Sequence, residues 1–441
     1  MIRAIRLIPV LVLSTLLLES AGCGAPEERR PDVVLVILDT TRADHLSSYG
    51  YERETTPNLD RLALEGERYE LAFAQSNWTL PSVATLLTGE PPHRHGAGRA
   101  GDSIFGIRES VPTLAERFAE HGYRTGAIIN VVWCNPRISS LDRGFEHYDF
   151  ANTNPTNLGH RDARATTDAA LSWLRGLGRD PVFLVVHYFD AHLTYDPPAP
   201  YDTLFESGPS SRVPTGFGSA GQVQEIRDGT LPLSPEQRAA LIARYDGELR
   251  FIDEQFERLR EGLEEMGRWD DALIVAVGDH GEEFWDHGGF EHGHSHYREL
   301  LHVPLIVRRP NGPRGRVVGE RVRQMDVAPT LLEFAGIALA DALPGRPLGG
   351  KAAPYSIAEG SLWTGDLLSV RSDSGTLILN RDTGSARYFG PDDRLERTPR
   401  PAPADLKKIL ESLPRPRTSD DAPNPLTEEE KAALRALGYL P

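Results

Sequence analysis

Residues 33–45 read VVLVILDTTRADH: six apolar residues, then an acidic residue, two threonines and a charged turn. A six-residue apolar run offers no polar face to water, so it suits a strand buried on both sides, as in a parallel sheet covered by helices. Asp39, at the end of that strand, is costly to bury unless the N–H groups of a following helix or a cation satisfy it. Both readings of Asp39 stay open on this stretch alone.

Working outward, similar apolar runs recur at Gly126–Val132, Val182–Val186, Ala272–Val277 and Val303–Val307. Between them, Asn58–Glu65, Val111–His121, Thr166–Leu174 and Pro235–Met266 carry apolar residues three and four apart, the spacing of one helix face. Strands alternating with helices predict an α/β fold: a large mixed, mostly parallel sheet sandwiched by helices. In such sheets functional groups collect beyond the carboxyl ends of the strands. Asp39, the segment His187–His192 and the pair Asp279/His280 are therefore expected to share one crevice. Residues 207–233 are rich in Gly, Ser and Pro and read as a long surface loop. Beyond Pro344, the runs LLSVRS, TLILNRD and SARYFG, separated by turn residues, predict a small antiparallel sheet, followed by a helix over Thr427–Leu437. The expected organisation is a signal peptide at 1–22, a linker at 23–31, a main domain at 32–343 and a C-terminal subdomain at 344–441.

The chain has 441 residues and an ordinary globular composition, 39% hydrophobic and 25% charged. Its net charge of −16 argues against a nucleic-acid partner, because backbone phosphates are bound by clustered Lys and Arg. An anionic substrate would need local positive charge, and a bound cation is one source. The first residues, MIRAIRLIPVLVLSTLLLESAGC, combine two arginines, an apolar run and small residues, the pattern of an export signal. The run from Leu7 to Leu18 is shorter than the roughly 20 residues of a membrane span. Ser20 to Cys23 resembles a bacterial lipoprotein processing site, so Cys23 is read as a lipid-bearing mature N-terminus on an exported periplasmic or cell-envelope protein, with a plainly cleaved signal as the simpler alternative. Cys134 then has no intramolecular disulfide partner and reads as a small buried hydrophobe.

Three further segments carry chemistry. Val277–Tyr297, VGDHGEEFWDHGGFEHGHSHY, packs five histidines (His280, His287, His292, His294, His296) among acidic residues directly after an apolar strand. Neutral imidazoles beside carboxylates are what divalent transition metals prefer. Asp279 and His280 can splay around one ion while Asp39 closes from the neighbouring strand. In NWTLPSVATLLTG, Asn77–Gly89, Thr79 precedes a Pro-containing turn into a helix over Val83–Leu87, so its hydroxyl is either a cap or a group held where unpaired N–H donors suit an anion. In HYFDAHLTYDPP, His187–Pro198, His192 can hydrogen-bond an oxyanion or assist a leaving group, whereas His187, nearer the strand, has the better claim to a structural role.

In chain order these segments resemble the sulfatase family of the alkaline phosphatase superfamily: VVLVILDTTRADHLSSYGYERETTPNLDRLALEG, WTLPSVATLLTG, TLAERFAEHGYRTGA, HYFDAH, VGDHGEEF, LLHVPLIVRRP and MDVAPTLLEFAGI. The resemblance implies an alkaline phosphatase-like sheet, metal ligation by Asp39, Asp279 and His280 with the Thr79 oxygen, and substrate contacts from His192 and His294. Thr40 stands where many sulfatases have a second acidic ligand. The family motif, Cys or Ser, any residue, Pro, any residue, Arg, is here Thr79, Leu80, Pro81, Ser82, Val83. Formylglycine is made from Cys or Ser, so none is expected, and an unmodified Thr implies phosphate-ester or phosphodiester chemistry as in superfamily phosphodiesterases. Asp190 and His192 are two apart, not four, which favours one ion. Carboxylates permit calcium or magnesium, and His280 tilts towards manganese or zinc. The substrate is then a small, glycan-linked or lipid-linked anionic ester. A true sulfuric ester hydrolase and an inert anion- or glycan-binding lipoprotein are the alternatives.

Overall fold

Strand β1, Val33–Leu38, is buried along its whole length, and the main sheet is built around it. A computed structural model describes residues 30–101, 103–151, 161–206, 220–338, 343–415, 417 and 426–436; the export signal and Cys23 lie outside them. Seven further strands join β1: β2 Glu67–Phe73, β3 Arg124–Ile129, β4 His147–Phe150, β5 Val182–Tyr188, β6 Leu273–Gly278, β7 Leu305–Arg308 and β8 Arg316–Arg323. Their spatial order is β8, β2, β7, β6, β1, β5, β3, β4. Strand β7 runs antiparallel to its neighbours β6 and β2, and the remaining pairs are parallel. The expected large, mostly parallel sheet is present, and all five apolar runs became its strands. Strands β2 (ERYELAF) and β8 (RVVGERVR) lie towards one edge and mix charged, half-buried or exposed residues with their buried ones, so they carried no continuous apolar signal.

Side chains alternate across a strand, and the two faces meet different helices. Val34, Val36 and Leu38 pack with Pro57–Glu65, Ala163–Arg175 and Pro235–Glu265. Val33, Leu35 and Ile37 pack with Thr79–Thr88, Leu114–Glu120 and Val327–Phe334. In β5 the second face takes Phe183 and Val185, and in β6 it takes Leu273, Val275 and Val277. Counting on by two, Asp39, His187 and Asp279 all fall on the face covered by the helix that begins at Thr79. The helix expected from Val111 starts at Leu114 because Thr113 closes a capping box with Glu116.

The expectation of a featureless loop over residues 207–233 is corrected: Ala220–Arg227 is a helix, and Val223 and Ile226, three apart, are buried with Leu233 in the core. Residues 207–219 of that stretch are outside the described residues. The small antiparallel sheet has four strands, Tyr355–Glu359, Leu367–Ser372, Gly375–Asn380 and Ala386–Phe389, one more than its turn signals announced. Helix Ala404–Glu411 covers it through Leu406 and Leu410, and Glu428–Ala436 is the expected terminal helix. Cys134 is a free, buried thiol in the core.

Buried histidines tie fold stability to pH. His302 donates Nε2–H to the Glu70 carbonyl at 2.7 Å, and burial, with Arg298 nearby, lowers its pKa to about 3. The unfolded chain takes up that proton near pH 6.5, so between about 6.5 and 3 the native state loses stability as pH falls, by about 1.4 kcal/mol per pH unit for this one group. His302→Gln keeps the donor and removes the titration. Urea melts of this variant should show a stability slope flatter by about that amount, and an unchanged slope would contradict the assignment.

Candidate active site and metal centre

Strands β5, β1 and β6 are adjacent and in register, with Leu38 beside both Tyr188 and Gly278, so Asp39 and Asp279 leave the sheet side by side. Asp39, His187 and Asp279 are fully buried, and one ligand-capable atom of each lies within 4.8 Å of the others. Asp279 Oδ1 accepts the backbone N–H groups of Thr40 at 3.0 Å and His280 at 2.7 Å. The first of these bonds relies on Thr40 taking a left-handed backbone, φ 46°. His187 donates Nε2–H to Asp39 Oδ2 at 3.0 Å. Gln324 holds the end of β6 by donating to the Gly278 and Asp279 carbonyls at 2.6 and 2.5 Å.

These bonds leave Asp39 Oδ1, Asp279 Oδ2 and the Thr40 hydroxyl buried without a hydrogen-bond partner among the described residues. Burial pushes Asp39 well above the usual carboxylate range, with Glu282 adding to it. Asp279 is raised by burial and then by Asp39. Burial also drives the imidazoles the other way, His187 to about 4 and His280 well below its ordinary value. Two uncompensated carboxylate oxygens beside neutral imidazoles form a donor set that fits a divalent cation.

The helix Thr79–Thr88 opens against this cluster. Trp78 is extended, and Thr79, fully buried, brings Oγ1 within 3.2 Å of His280 Nε2. His280 Nδ1 lies 2.9 Å from the Gly281 carbonyl, which can only accept, so Nε2 carries the lone pair. That nitrogen is also 3.4 Å from Asp279 Oδ2. Asp39, Asp279, His280 and Thr79 are thus brought together.

His192 is linked to them through a third ring. His292 packs against His280 at 4.5 Å between centroids and against His192 at 5.0 Å, and His192 stacks on Phe189 at 4.5 Å. His192 gives Nδ1–H to the Leu193 carbonyl at 2.7 Å. His292 gives its own to Glu282 at 3.0 Å, and Glu282 also accepts from the Tyr195 hydroxyl at 2.8 Å. Burial lowers the pKa of all three imidazoles and raises Glu282 to about 7. His294 stands apart at a part-exposed position, its Nε2 2.7 Å from Glu283. His287 and His296 bond to Glu299 and to the Gly360 carbonyl, away from the cluster. Asp190 accepts the Ala163 N–H at 2.8 Å, at the start of helix Ala163–Arg175.

Sequence reasoning gave His187 a structural role, and its bond to Asp39 places it inside the cluster; the parity of β5 was the available signal. His292 lay in the marked histidine-rich segment, but no local signal set it apart from His287, His294 and His296. It reaches His280 because the hairpin of Glu283–Phe284 with Phe290–Glu291 folds back, aided by left-handed Glu291 and Gly293.

Comparison with known proteins gives the same frame. The Sulfatase family model matches residues 31–337. An arylsulfatase of Clostridium perfringens is 26% identical over 387 residues, 72% of this chain and 78% of that protein. A multifunctional alkaline phosphatase superfamily protein of Trinickia caryophylli is 26% identical over 401 residues, 72% of this chain and 76% of its own. Among solved structures, the phosphonate monoester hydrolase of Agrobacterium radiobacter superposes with a TM-score of 0.68 at 22% identity, covering 87% of this chain and 94% of that one.

Burial raises both carboxylates, so an ion that needs them charged should bind more weakly as pH falls. Titration calorimetry of manganese into chelator-treated protein across a pH series reads this directly, and an affinity that does not fall with pH would contradict it.

Proposed function

The chain belongs to the sulfatase family and is an ester hydrolase, and we propose that it cleaves phosphate esters, phosphodiesters foremost, with unmodified Thr79 as its nucleophile. One divalent ion, calcium, magnesium, manganese or zinc, would be held by Asp39, Asp279 and His280 together with the Thr79 oxygen. The observation that carries this reading is the approach of Thr79 Oγ1 to 3.2 Å from His280 Nε2, beside two carboxylates with unsatisfied oxygens. Thr79 also lacks the Cys or Ser chemistry from which formylglycine is made, so no such aldehyde is required.

When bound, the ion supplies the positive charge that makes the threonine hydroxyl acidic and offsets charge on the ester. Thr79 sits at the first position of its helix, where backbone N–H groups favour an incoming anion. Oγ1 attacks phosphorus in line, the Oγ1–phosphorus bond forms as the bond to the departing oxygen breaks, and the hydroxyl proton ends on the released alcohol. The product is a covalent threonyl phosphate ester. His192, its Nδ1–H committed to the Leu193 carbonyl and its ring held neutral by burial, contacts the oxygens of the ester as a hydrogen-bonding and positioning group and not as a strong base. His294, at its part-exposed position, contacts the outer part of the substrate.

A sulfuric ester hydrolase using the same threonine is the second reading, favoured by the arylsulfatase among the relatives. The same proposal takes residues 1–22 as an export signal, Cys23 as a lipid anchor in the cell envelope, 32–343 as the catalytic domain and 344–441 as its C-terminal subdomain. Among the described residues no helix is long and apolar enough to cross a membrane.

With manganese or another divalent ion added, bis(p-nitrophenyl) phosphate should be turned over faster than p-nitrophenyl sulfate; the reverse order selects the second reading. Thr79→Ala should lose at least about a thousandfold in turnover with its melting temperature kept, because the hydroxyl bonds only within the site. Thr79→Ser should retain measurable activity. Full activity in the alanine variant would sink the nucleophile assignment.

A further inference from the structure

Separate from the carboxylate cluster, a cavity of about 370 Å³ is lined by five arginines and four carboxylates. That volume falls within the range of small-ligand sites. None of Asp39, Thr79, His192, Asp279, His280 and His294 lines it, so its chemistry is not that of the metal centre.

The four carboxylates are already engaged. Arg42 binds both oxygens of Asp44, through Nε at 2.9 Å and Nη2 at 2.8 Å, and reaches Asp286 through Nη1 at 2.8 Å. Glu299 meets His287 Nδ1 at 2.6 Å, and Glu70 meets Arg68 at 3.3 Å. Two arginines are so committed, and three remain. Among the described residues, no carboxylate lies within ion-pair distance of the guanidinium groups of Arg298, Arg394 and Arg397. Arg298 lies over the Phe73 ring at 5.6 Å. Its Nη2 comes within 3.5 Å of His302 Nε2, but that nitrogen gives its N–H to the Glu70 carbonyl and has no lone pair to offer. A guanidinium stacked on a ring keeps its in-plane N–H groups for an anion. Burial lowers the Arg298 pKa, Glu396 opposes this and Arg371 adds to it.

The three arginines sit on one pinned frame. Glu396, buried and left-handed at φ 55°, accepts the Arg298 backbone N–H at 2.9 Å and the Arg371 guanidinium at 3.1 and 3.2 Å. His287 Nε2 meets the Leu395 and Glu396 carbonyls at 3.1 and 3.0 Å. Asp393 accepts the Arg397 and Thr398 N–H groups at 3.2 and 2.7 Å. The turn that carries Arg394 and Arg397 is thus fastened to the helical turn Arg298–Leu301 that carries the third.

We propose that this cavity is a second, non-catalytic site for a tetrahedral oxyanion, phosphate or sulfate, free or borne on a small organic group, and that Arg298, Arg394 and Arg397 bind it. Three cations from two segments suit a dianion with oxygens pointing several ways better than a planar carboxylate, which one guanidinium fork saturates. The exposed side chain of Leu395 lines the same cavity and offers an apolar surface to an organic group. In a chain of net charge −16, local cations are what gather an anion, and the class gathered here is the one that sulfate or phosphate ester hydrolysis releases. The site stands on its own residues, whichever group is the nucleophile.

The test is calorimetry on the manganese-loaded protein at low ionic strength, with inorganic phosphate, inorganic sulfate, glycerol 3-phosphate and acetate as titrants. The metal centre is common to the parent and to an Arg394→Ala/Arg397→Ala variant, so the difference between them reads the cavity alone. Phosphate or sulfate should bind the parent, and the arginine pair should remove one ion per chain or weaken binding about tenfold or more. Arg298→Gln should weaken it likewise. Because Arg394 and Arg397 are exposed, the pair should keep the parent's melting temperature and its rate on bis(p-nitrophenyl) phosphate. Tighter binding of glycerol 3-phosphate than of phosphate assigns an ester as the occupant, and equal binding assigns the free ion. Isotherms indifferent to the arginine pair would put all anion binding at the metal centre and overturn the site. Acetate bound as well as phosphate would overturn the oxyanion class. A parent that turns over no diester, yet loses phosphate binding with the arginines, has this site without the chemistry proposed for Thr79.

Discussion

Two carboxylates buried side by side at the ends of adjacent parallel strands set the terms for the rest of this structure. Like charges a few ångströms apart repel by about 4 kcal/mol at an effective dielectric near 20, and burial adds a desolvation cost to each. Asp39 and Asp279 meet that demand only in part from the protein: Asp39 receives one N–H from His187, and Asp279 receives two from the backbone. The left-handed turn at Thr40 and the clamp of Gln324 on β6 are the local arrangements that keep this pair in place. Among the described residues, an oxygen on each carboxylate is buried without a hydrogen-bond partner. The arrangement is incomplete without positive charge, and its incompleteness is what makes it a site.

The small antiparallel sheet contributes to that site by fixing how Thr79 approaches the cluster. The Glu359 N–H donates to the Gln75 carbonyl at 2.9 Å, Ser76 Oγ to the Glu359 carbonyl at 3.0 Å, and Gly293 bridges Asn77 to Leu362 and Trp363. Each residue from Gln75 to Asn77 is thus bonded directly or through one residue to the segment Glu359–Trp363. The Thr79 hydroxyl is held from both sides, by a helix that begins on it and by a strand pinned to the three residues that lead into it. A hydroxyl held this way has little freedom to reorganise.

How far this was legible from the chain depends on which contacts are local. The parallel sheet was readable because strands buried on both faces are written as unbroken apolar runs, and Asp39 and Asp279 were readable because each follows such a run. His187 was readable in principle, since it continues the alternation of Phe183 and Val185 onto the face of Thr79, but a histidine inside an apolar strand looks structural until its neighbour is known. His292 was readable as one of five clustered histidines but its place beside His280 was not, because that depends on a short hairpin and on the backbone turns of Glu291 and Gly293. Strand β8 and helix Ala220–Arg227 escaped for a similar reason, because a half-buried edge strand and a two-turn helix need few apolar residues and take their stability from what they pack against.

The groups that shift Asp39 and Asp279 include no lysine or arginine. An arginine in that position would form a permanent bidentate pair with the carboxylates and consume the oxygens a substrate-activating charge has to share. A divalent ion held there would neutralise both carboxylates and could take further oxygen ligands besides them. Lining the pair with histidines held neutral by burial serves the same end, since a cationic imidazole would repel the ion while a neutral one can ligate it.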